Sequence, residues 1–235
     1  VYGIGISRDR IVIWILLVAL LLAIVFGPTL WVRHVMRKHA GDRPDLPGTG
    51  AELARHLLDR FGLEDVKVAA FDGGDSYDPK TRTVRLSPSN HDGRSITAVA
   101  VAAHEVSHAF QHHEQYPPFQ RRQSIVRVGV LVDRIGSVLL LALSIPGAAV
   151  TSPRLLLLGV AAVVIMGLAR VFSRVSTLPV EMDASFNRAL PLLARDGYLA
   201  RDDIIAARQV LNAAAYTYVA AALLQLINLL RVFRR

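Results

Sequence analysis

The sequence predicts a mainly α-helical, polytopic membrane protein in which about four apolar helices carry a small α+β part that faces water. Three observations predict this class: 52% of the 235 residues are hydrophobic, the mean hydropathy is positive, and the apolar residues come in long blocks. So much apolar sequence excludes a disordered chain. The absence of cysteine excludes disulfide-stapled folds, iron–sulfur clusters, thiolate zinc sites and cysteine nucleophiles.

The first apolar block covers residues 11–32 and contains no charged side chain. At 1.5 Å per residue it is long enough to cross the roughly 30 Å hydrocarbon core of a bilayer. A secretory signal is the alternative, but no small-residue cleavage site follows a short apolar region. The block therefore predicts an N-terminal transmembrane helix within segment 1–32.

Two further regions are apolar. Segment 124–173 predicts a transmembrane helical hairpin with its turn at residues 151–154, although Asp133 and Arg134 interrupt its front half. Segment 213–235 predicts a C-terminal apolar helix. Its Tyr216, Tyr218, Gln225 and Asn228 leave open whether this helix spans the membrane or lies on the bundle.

The distribution of Arg and Lys predicts the orientation in the membrane. Basic residues are denser after the first block than before it, and the hairpin turn holds only Arg154. By the positive-inside rule, segments 33–123 and 174–212 both face the cytoplasm of a multi-pass protein in the cell inner (plasma) membrane. The basic tail, residues 231–235, does not fit this orientation if the last helix crosses fully.

The net charge of +8 is explained by this bias and by attraction to anionic lipid, so the lipid bilayer is one predicted partner. Nucleic acid is not a predicted partner, because no patch of the sequence interleaves basic and aromatic residues. The sequence does not indicate the oligomeric state.

The water-facing segment 33–123 predicts a small α+β unit. Thr49 and Glu52 form a capping-box pattern before a helix, residues 66–68 and 81–86 alternate as strands do, and residues 95–112 predict a second helix without Gly or Pro. The strand at 81–86 could bind an extended peptide as an added strand.

The second helix contains His104-Glu105-Val106-Ser107-His108, an H-E-x-x-H pattern. Histidines four residues apart lie on one helical face, so both imidazoles can reach one metal ion, and Glu105 sits where it can take a proton from water at the open metal position. The alternative is a helix with solvated histidines. The small apolar residues before His104 argue against it, since they predict a buried helix.

A catalytic zinc site needs a third protein ligand. The metzincin pattern fails here because Gln111 and Glu114 stand where it needs Gly and His. Elimination among the five glutamates leaves Glu181, just after Pro179 at a predicted helix start. The alternative for Glu181 is a first-turn carboxylate favoured by the helix dipole. Asp183 is a candidate to orient a ligand histidine through its other ring nitrogen.

The chain resembles the neutral zinc metallopeptidases of bacterial membranes, the YugP-like family within the gluzincin group. The resemblance rests on four stretches, which are residues 98–109, 178–185, 76–79 and 217–223. It extends to the order of the apolar blocks and so covers nearly the whole chain. The chain departs from the family in having Ser76 where His is frequent and Ser107 where Gly is frequent. Better-known gluzincins have Asp where this chain has Ser185.

The resemblance implies a zincin-like part and a zinc-dependent, membrane-bound endopeptidase acting on peptide or protein substrates. It implies one Zn²⁺ held by His104 and His108, with Glu105 as catalytic base and Glu181 in the third-ligand position. A second donor to the oxyanion is expected in such chemistry. Tyr218 is the predicted catalytic residue for this role and Tyr77 a second candidate, with aromatic packing as the alternative for either.

Two rival functions remain open. An intramembrane site-2-type protease would need the motif inside a span and a Leu-Asp-Gly motif, whereas the Asp-Gly pairs here lie in polar turns. A non-catalytic membrane scaffold or pseudopeptidase would carry structural zinc, and it would not need Glu105. Zinc content measured together with peptide cleavage discriminates between scaffold and enzyme.

Overall fold

A computed structural model describes the backbone of residues 8–144, 152–195 and 197–232 and most of their side chains, which in the last helix end at Tyr216. The described elements, in chain order, are helices α1 (Arg8–Lys38) and α2 (Gly50–Arg60), strands β1 (Lys67–Ala70), β2 (Ser76–Asp78) and β3 (Thr83–Leu86), helices α3 (Pro88–His91), α4 (Ile96–His113), α5 (Pro117–Leu143) and α6 (Pro153–Met182), a π-helical segment (Asp183–Ala189), and helices α7 (Leu190–Arg195) and α8 (Arg201–Val232).

Helix α2 begins at the predicted capping box. The Glu52 backbone N–H donates to Thr49 Oγ1 at 3.2 Å, and the Glu52 carboxylate accepts from the Thr49 backbone N–H at 2.7 Å. Both interactions satisfy N–H groups that have no partner within the helix. The buried side of α2, which includes Leu57 and Leu58, then packs against α4.

The three strands form one sheet in the order β1-β3-β2. β1 pairs with β3 in parallel and β2 pairs with β3 antiparallel, so β3 has a neighbour on both sides. The expectation that residues 81–86 accept an extended peptide as an added strand is therefore wrong. The open edges of the described sheet belong to β1 and β2.

Helix α4 passes through the core and is the element around which the water-facing part is built. Its N-cap is Ser95, whose side chain accepts from the Ala98 backbone N–H at 3.1 Å. Fifteen of its eighteen residues are buried. The Ala and Val side chains of its first half are small, and α2, α8 and the π-helical segment all pack against it.

Helices α5 and α6 pack against each other along much of their length. They approach closely at Gly136, where an added Cβ atom would lie 2.3 Å from Met166 Sδ. A larger residue would require the flexible Met166 side chain to move, and small residues are frequent where two helices pack this closely. Nearer the α4 end, Arg170 Nε donates to Asp133 across the same pair at 3.1 Å.

The mainly helical character and the short sheet agree with the prediction, but the prediction of about four apolar membrane helices is wrong. Among the described residues, one helix is long and apolar enough to cross a membrane, the continuous helix over Pro153–Arg195, and 11% of its apolar window is buried. In α5, the charges of Asp133 and Arg134 leave residues 135–143 as the apolar part, short of the roughly 20 residues that a span needs.

Helices α1 and α8 do not qualify over the side chains that the structure describes. Residues 145–151, which contain most of the predicted hairpin turn, lie outside the described part, as do the side chains from residue 217 onward.

Candidate metal centre

His104 and His108 come from successive turns of α4 and point to the same place. Their Nε2 atoms are 3.2 Å apart, and both residues are buried. This is the geometry that the four-residue spacing predicts, because residues i and i+4 lie on one face of a helix.

Glu181 completes the cluster from the last turn of α6. Its Oε2 lies 3.2 Å from His104 Nε2 and 3.3 Å from His108 Nε2, so the three atoms form a nearly equilateral triangle. Two atoms that bind one zinc ion at about 2.0–2.1 Å and at a tetrahedral angle are about 3.3 Å apart. These three residues could therefore hold one metal ion of zinc's size.

The carboxylate of Glu181 is 1% exposed and incompletely satisfied by the protein. Its Oε1 accepts no hydrogen bond from the described residues, and the nearest cation is Arg122, with Nη2 at 3.8 Å. Burial by itself would raise the pKa of Glu181, but the two imidazoles outweigh it and hold that pKa well below its usual range. A buried anion with an unpartnered oxygen is what a cation site requires.

The protonation of His108 follows from a hydrogen-bond network around Gln111. The Gln111 amide nitrogen donates to the Val180 carbonyl at 3.0 Å and to Asp183 Oδ2 at 2.8 Å. Its Oε1 is therefore the acceptor, and it lies 2.9 Å from His108 Nδ1. In the tautomer that has its proton on Nδ1, Nε2 presents a lone pair to the centre of the triangle.

His104 is oriented by Ser185, whose Oγ lies 3.1 Å from His104 Nδ1 and is buried. Ser185 thus lies beside a candidate ligand, at the position where better-known gluzincins have Asp. The hydrogen bonds of Asp183 within the described part of the chain go to other residues than the two histidines. It accepts hydrogen bonds from Gln111 and from Arg188 Nε, the latter at 2.6 Å. Asp183 therefore affects His108 indirectly, by holding Gln111, which contacts His108.

The π-helical segment begins directly after α6 and contains both Asp183 and Ser185. Its wider turn places Ser185 against His104 while Asp183 faces Gln111. Such insertions in α-helices are frequent at functional sites, where they redirect side chains.

Glu105 is buried beside the triangle and lines the same cleft as His108 and Glu181. Burial raises the pKa of Glu105 to about 7; the His104 charge acts in the opposite direction, and the Glu181 carboxylate adds to the increase. The Tyr77 backbone N–H donates to the carboxylate and also opposes the increase. A carboxyl group with a pKa near neutrality can both accept and return a proton at physiological pH.

The cleft that reaches these residues has a volume of about 470 Å³. Its walls come from β2 and the turn after it, from α4, and from α5, which contributes Phe119, Arg122 and Val126. The cleft therefore lies between the open edge of the sheet and the first turns of α5.

Of the two tyrosines predicted as oxyanion donors, Tyr77 lines the cleft. Its hydroxyl lies 2.9 Å from Nδ1 of His112, and burial raises its pKa. Tyr218 lies in α8, but its side chain is outside the described residues, so its role stays a prediction.

Sequence reasoning missed Gln111 and Arg122. Gln111 carried a signal, because it follows His108 by three residues on the same face of a helix predicted to be buried, where a polar side chain needs partners. Arg122 had no such signal in the sequence. It is one of several arginines at the start of α5, and only the fold brings it to Glu181.

Residues 13–235 match the family model described as "Putative neutral zinc metallopeptidase". The chain belongs to this family of zinc metallopeptidases. It is also 38% identical over 221 residues to "Putative membrane protease YugP" of Bacillus subtilis (strain 168), and the match covers 93% of this chain and 94% of the relative. No solved structure matches the chain significantly.

The family membership confirms the resemblance drawn from the motifs. A zinc metallopeptidase family implies zinc, and the His104, His108 and Glu181 triangle is the group of described residues that could hold it. The relative is named as a membrane protease, and α6 lies within the one helix of the described residues that is long and apolar enough to cross a membrane.

Proposed function

We propose that the protein is a membrane-anchored, zinc-dependent endopeptidase that hydrolyses peptide bonds in the cleft between β2, α4 and α5. The observation that carries this proposal is the triangle of two imidazole nitrogens and one carboxylate oxygen, with sides of 3.2–3.3 Å. We assign His104, His108 and Glu181 as the ligands of one Zn²⁺ ion.

The environment of the triangle supports a catalytic site rather than a structural one. Structural zinc sites are closed by four protein ligands, whereas catalytic sites use three and keep one position open. Within the described part of the chain, three residues form the cluster, and two of them, His108 and Glu181, line the open cleft. The alternative of a scaffold with structural zinc would leave this opening and the buried Glu105 without a role.

Each residue around the site then has a defined task. When bound, zinc lowers the pKa of water towards neutrality and stabilises negative charge on a carbonyl oxygen. Glu105 accepts the proton from the attacking water and donates it to the leaving amine, for which a pKa of about 7 in the metal-free site is a suitable starting point. Gln111 and Ser185 keep the two imidazoles oriented.

The open edge of β2 is the proposed binding place for the substrate backbone. Residues 75–80 line the cleft together with Glu105, and an extended peptide could pair with such an edge. Tyr77 would have to exchange its contact with His112 to donate to substrate, and Tyr218 remains the other candidate for this role.

We further propose that α6 anchors the protein in the cell inner membrane with the site on the cytoplasmic side. The apolar stretch of α6 is followed by Arg170 and Arg174 at the end that leads to Glu181, and preceded by Arg154 alone. This excess of positive charge supports a cytoplasmic location for the Glu181 end. Segments 33–123 and 174–212, which supply α4 and the π-helical segment, would then share that side.

The test of catalysis measures zinc and cleavage on the same preparation. Wild-type protein in neutral detergent should bind one zinc ion per chain and cleave members of a peptide library, with loss of cleavage after chelation and recovery with Zn²⁺. Stoichiometric zinc without cleavage of any peptide would favour the scaffold. A preparation that neither binds zinc nor cleaves peptides would also refute the ligand assignment.

The test of orientation uses the absence of cysteine in the sequence. A single cysteine in place of the exposed Lys80 at the cleft should react with a membrane-impermeant maleimide in inverted vesicles but not in intact spheroplasts. Labelling in spheroplasts would place the cleft on the outer side.

A further inference from the structure

A groove between α5 and α6 adjoins the cleft and shares lining residues with it. Arg122 and Val126 line both the cleft and the groove, whose volume is about 520 Å³. A peptide bound in the cleft can therefore extend into the groove past these two side chains.

The groove has an excess of positive charge. Its charged lining residues are Arg122, Asp133, Arg170 and Arg174. Arg170 is paired with Asp133 at 3.1 Å, so these two charges compensate each other. Arg174 is exposed and forms no ion pair with any described residue, and the nearest carboxylate to Arg122 is Glu181, which belongs to the metal centre.

The acidic residues of the adjoining cleft are already engaged. Asp78 is paired with Arg85 at 2.7 Å, and Asp75 accepts hydrogen bonds from Ser87 and Asn90. Within the groove, the single lining carboxylate among the described residues is Asp133, which Arg170 compensates, so Arg174 and the solvent-facing side of Arg122 are available to a substrate carboxylate.

We propose that this groove selects peptide substrates that carry aspartate or glutamate on the α5 side of the scissile bond, with Arg122 and Arg174 as the specificity-determining residues. The inference rests on the proposed peptidase function. A substrate carboxylate in the groove would meet two guanidinium groups, whereas a lysine there would meet uncompensated positive charge. Val126 and Val130 supply apolar surface for the neighbouring side chains.

An anionic lipid headgroup would also suit the charge of the groove. The continuity with the cleft favours a peptide, because an extended chain can occupy both spaces at once, whereas a lipid headgroup bound at the groove makes no use of the opening towards Glu105 and Glu181. The test below includes the lipid as an outcome.

The experiment measures binding to the full-length Glu105→Gln variant in neutral detergent, so that no peptide is consumed. The probes are fluorescent peptides of about eight uncharged residues, in which each position in turn is replaced by Glu, Gln or Lys. Fluorescence anisotropy measures their binding. At positions on one side of the centre, Glu should bind about threefold to fivefold more tightly than Gln, as expected for a partly exposed ion pair, and Lys more weakly.

The Arg174→Gln substitution should remove most of this preference, taken as the ratio of the Glu-peptide affinity to the affinity of the same variant for the uncharged parent peptide. Arg127→Gln is the matched control, since Arg127 is exposed on α5, hydrogen-bonds to Gln123 and Ser124 of its own helix, and is not among the described residues that line the groove. It should retain the preference, which excludes a general effect of net charge.

Equal affinity for the Glu and Lys peptides at every position would overturn the inference. An Arg174→Gln effect on binding of phosphatidylglycerol-containing micelles, without any effect on peptide discrimination, would assign the groove to lipid and overturn it too. Cleavage of the uncharged parent peptide by wild type tests the peptidase proposal separately, so the two can fail independently.

Discussion

Two apolar helices meet at the metal centre, and they are apolar for different reasons. Helix α4 is buried in the protein, and its alanines at positions 98, 100, 102 and 103 are 0% exposed. The first half of α6 carries larger side chains that face outward, such as Leu157 with 69% and Ile165 with 55% exposure. Small side chains allow α4 to be enclosed by neighbours, whereas a row of large exposed apolar side chains, as on α6, is typical of a surface that lipid or another protein covers.

The comparison shows how the candidate membrane anchor and the candidate metal centre are joined. Beyond Arg174, one face of helix α6 becomes buried through Thr177, Val180 and Glu181, while Val175 and Met182 on other faces stay exposed. One continuous helix therefore carries the candidate anchor and the third candidate ligand. Polar changes on α4 should affect the chemistry, while changes on the exposed face of α6 should affect only the contact with the surroundings.

The largest effect expected from this contrast is that of Glu105→Gln on α4. Loss of the proton acceptor should lower turnover by about 10²- to 10⁴-fold while zinc remains bound, because Glu105 is not among the three ligands. Turnover of a cleaved peptide and zinc content are measured on the same sample. A variant that cleaves at the wild-type rate would exclude Glu105 as the base.

The burial of α4 also predicts a pH dependence of stability in metal-free protein. The pKa of Glu105 is about 7 when folded against 4.5 as the ordinary value, so between these pH values the unfolded state binds fewer protons. Stability should then fall as pH rises through this window, by on the order of 3 kcal/mol in total. Melting temperatures of chelator-treated wild type and Glu105→Gln should diverge from pH 5 to pH 8.

The control for this measurement is Glu64→Gln, which changes an exposed glutamate and should follow the wild-type curve. Parallel curves for wild type and Glu105→Gln would show that this carboxyl does not titrate in the window.

A smaller effect is expected from Gln111, which orients His108 from the buried side of α4. Gln111→Leu removes the acceptor of the His108 Nδ1 proton, and loss of such a partner costs about 10- to 100-fold in metal affinity. Competition with a zinc chelator measures this change. Gln120→Leu, an exposed glutamine on α5, is the control and should bind zinc as tightly as wild type.

The smallest effects test packing on the two helices directly. Ala102→Leu in α4 should destabilise the protein by about 1–3 kcal/mol, because the buried site has no room for extra methylene groups. Leu157→Ala in α6 should change the stability in detergent by less than about 0.5 kcal/mol. Denaturant titration in one detergent compares the two variants, and a larger loss for Leu157→Ala would reverse the contrast between the helices.

The local features were predictable from the sequence. Residue spacing predicted the capping box at Thr49 and placed two histidines on one helical face. The small side chains before His104 predicted a buried helix, and elimination among few glutamates pointed to Glu181. These signals act over one or two helical turns or depend on residue types that are rare in this chain. The roles of His104, His108 and Glu181 as ligands remain a proposal.

The long-range features were not predictable. An apolar block does not reveal whether protein or lipid will cover it, and this is why about four membrane helices were expected where one is found among the described residues. The central place of β3 depends on pairing with β1 and β2 on either side. Arg122 and Glu181 are far apart in sequence, and the residues around either one do not indicate that the two lie close together in the fold.

The most direct test of the central claim is the X-ray absorption spectrum of zinc in the purified protein. The proposed site predicts one zinc ion with two imidazole nitrogens and oxygen ligands at about 2.0–2.1 Å, and a loss of the bound zinc in the Glu181→Ala variant. A spectrum with a different number of imidazoles, or one unchanged by removal of Glu181, would contradict the assignment.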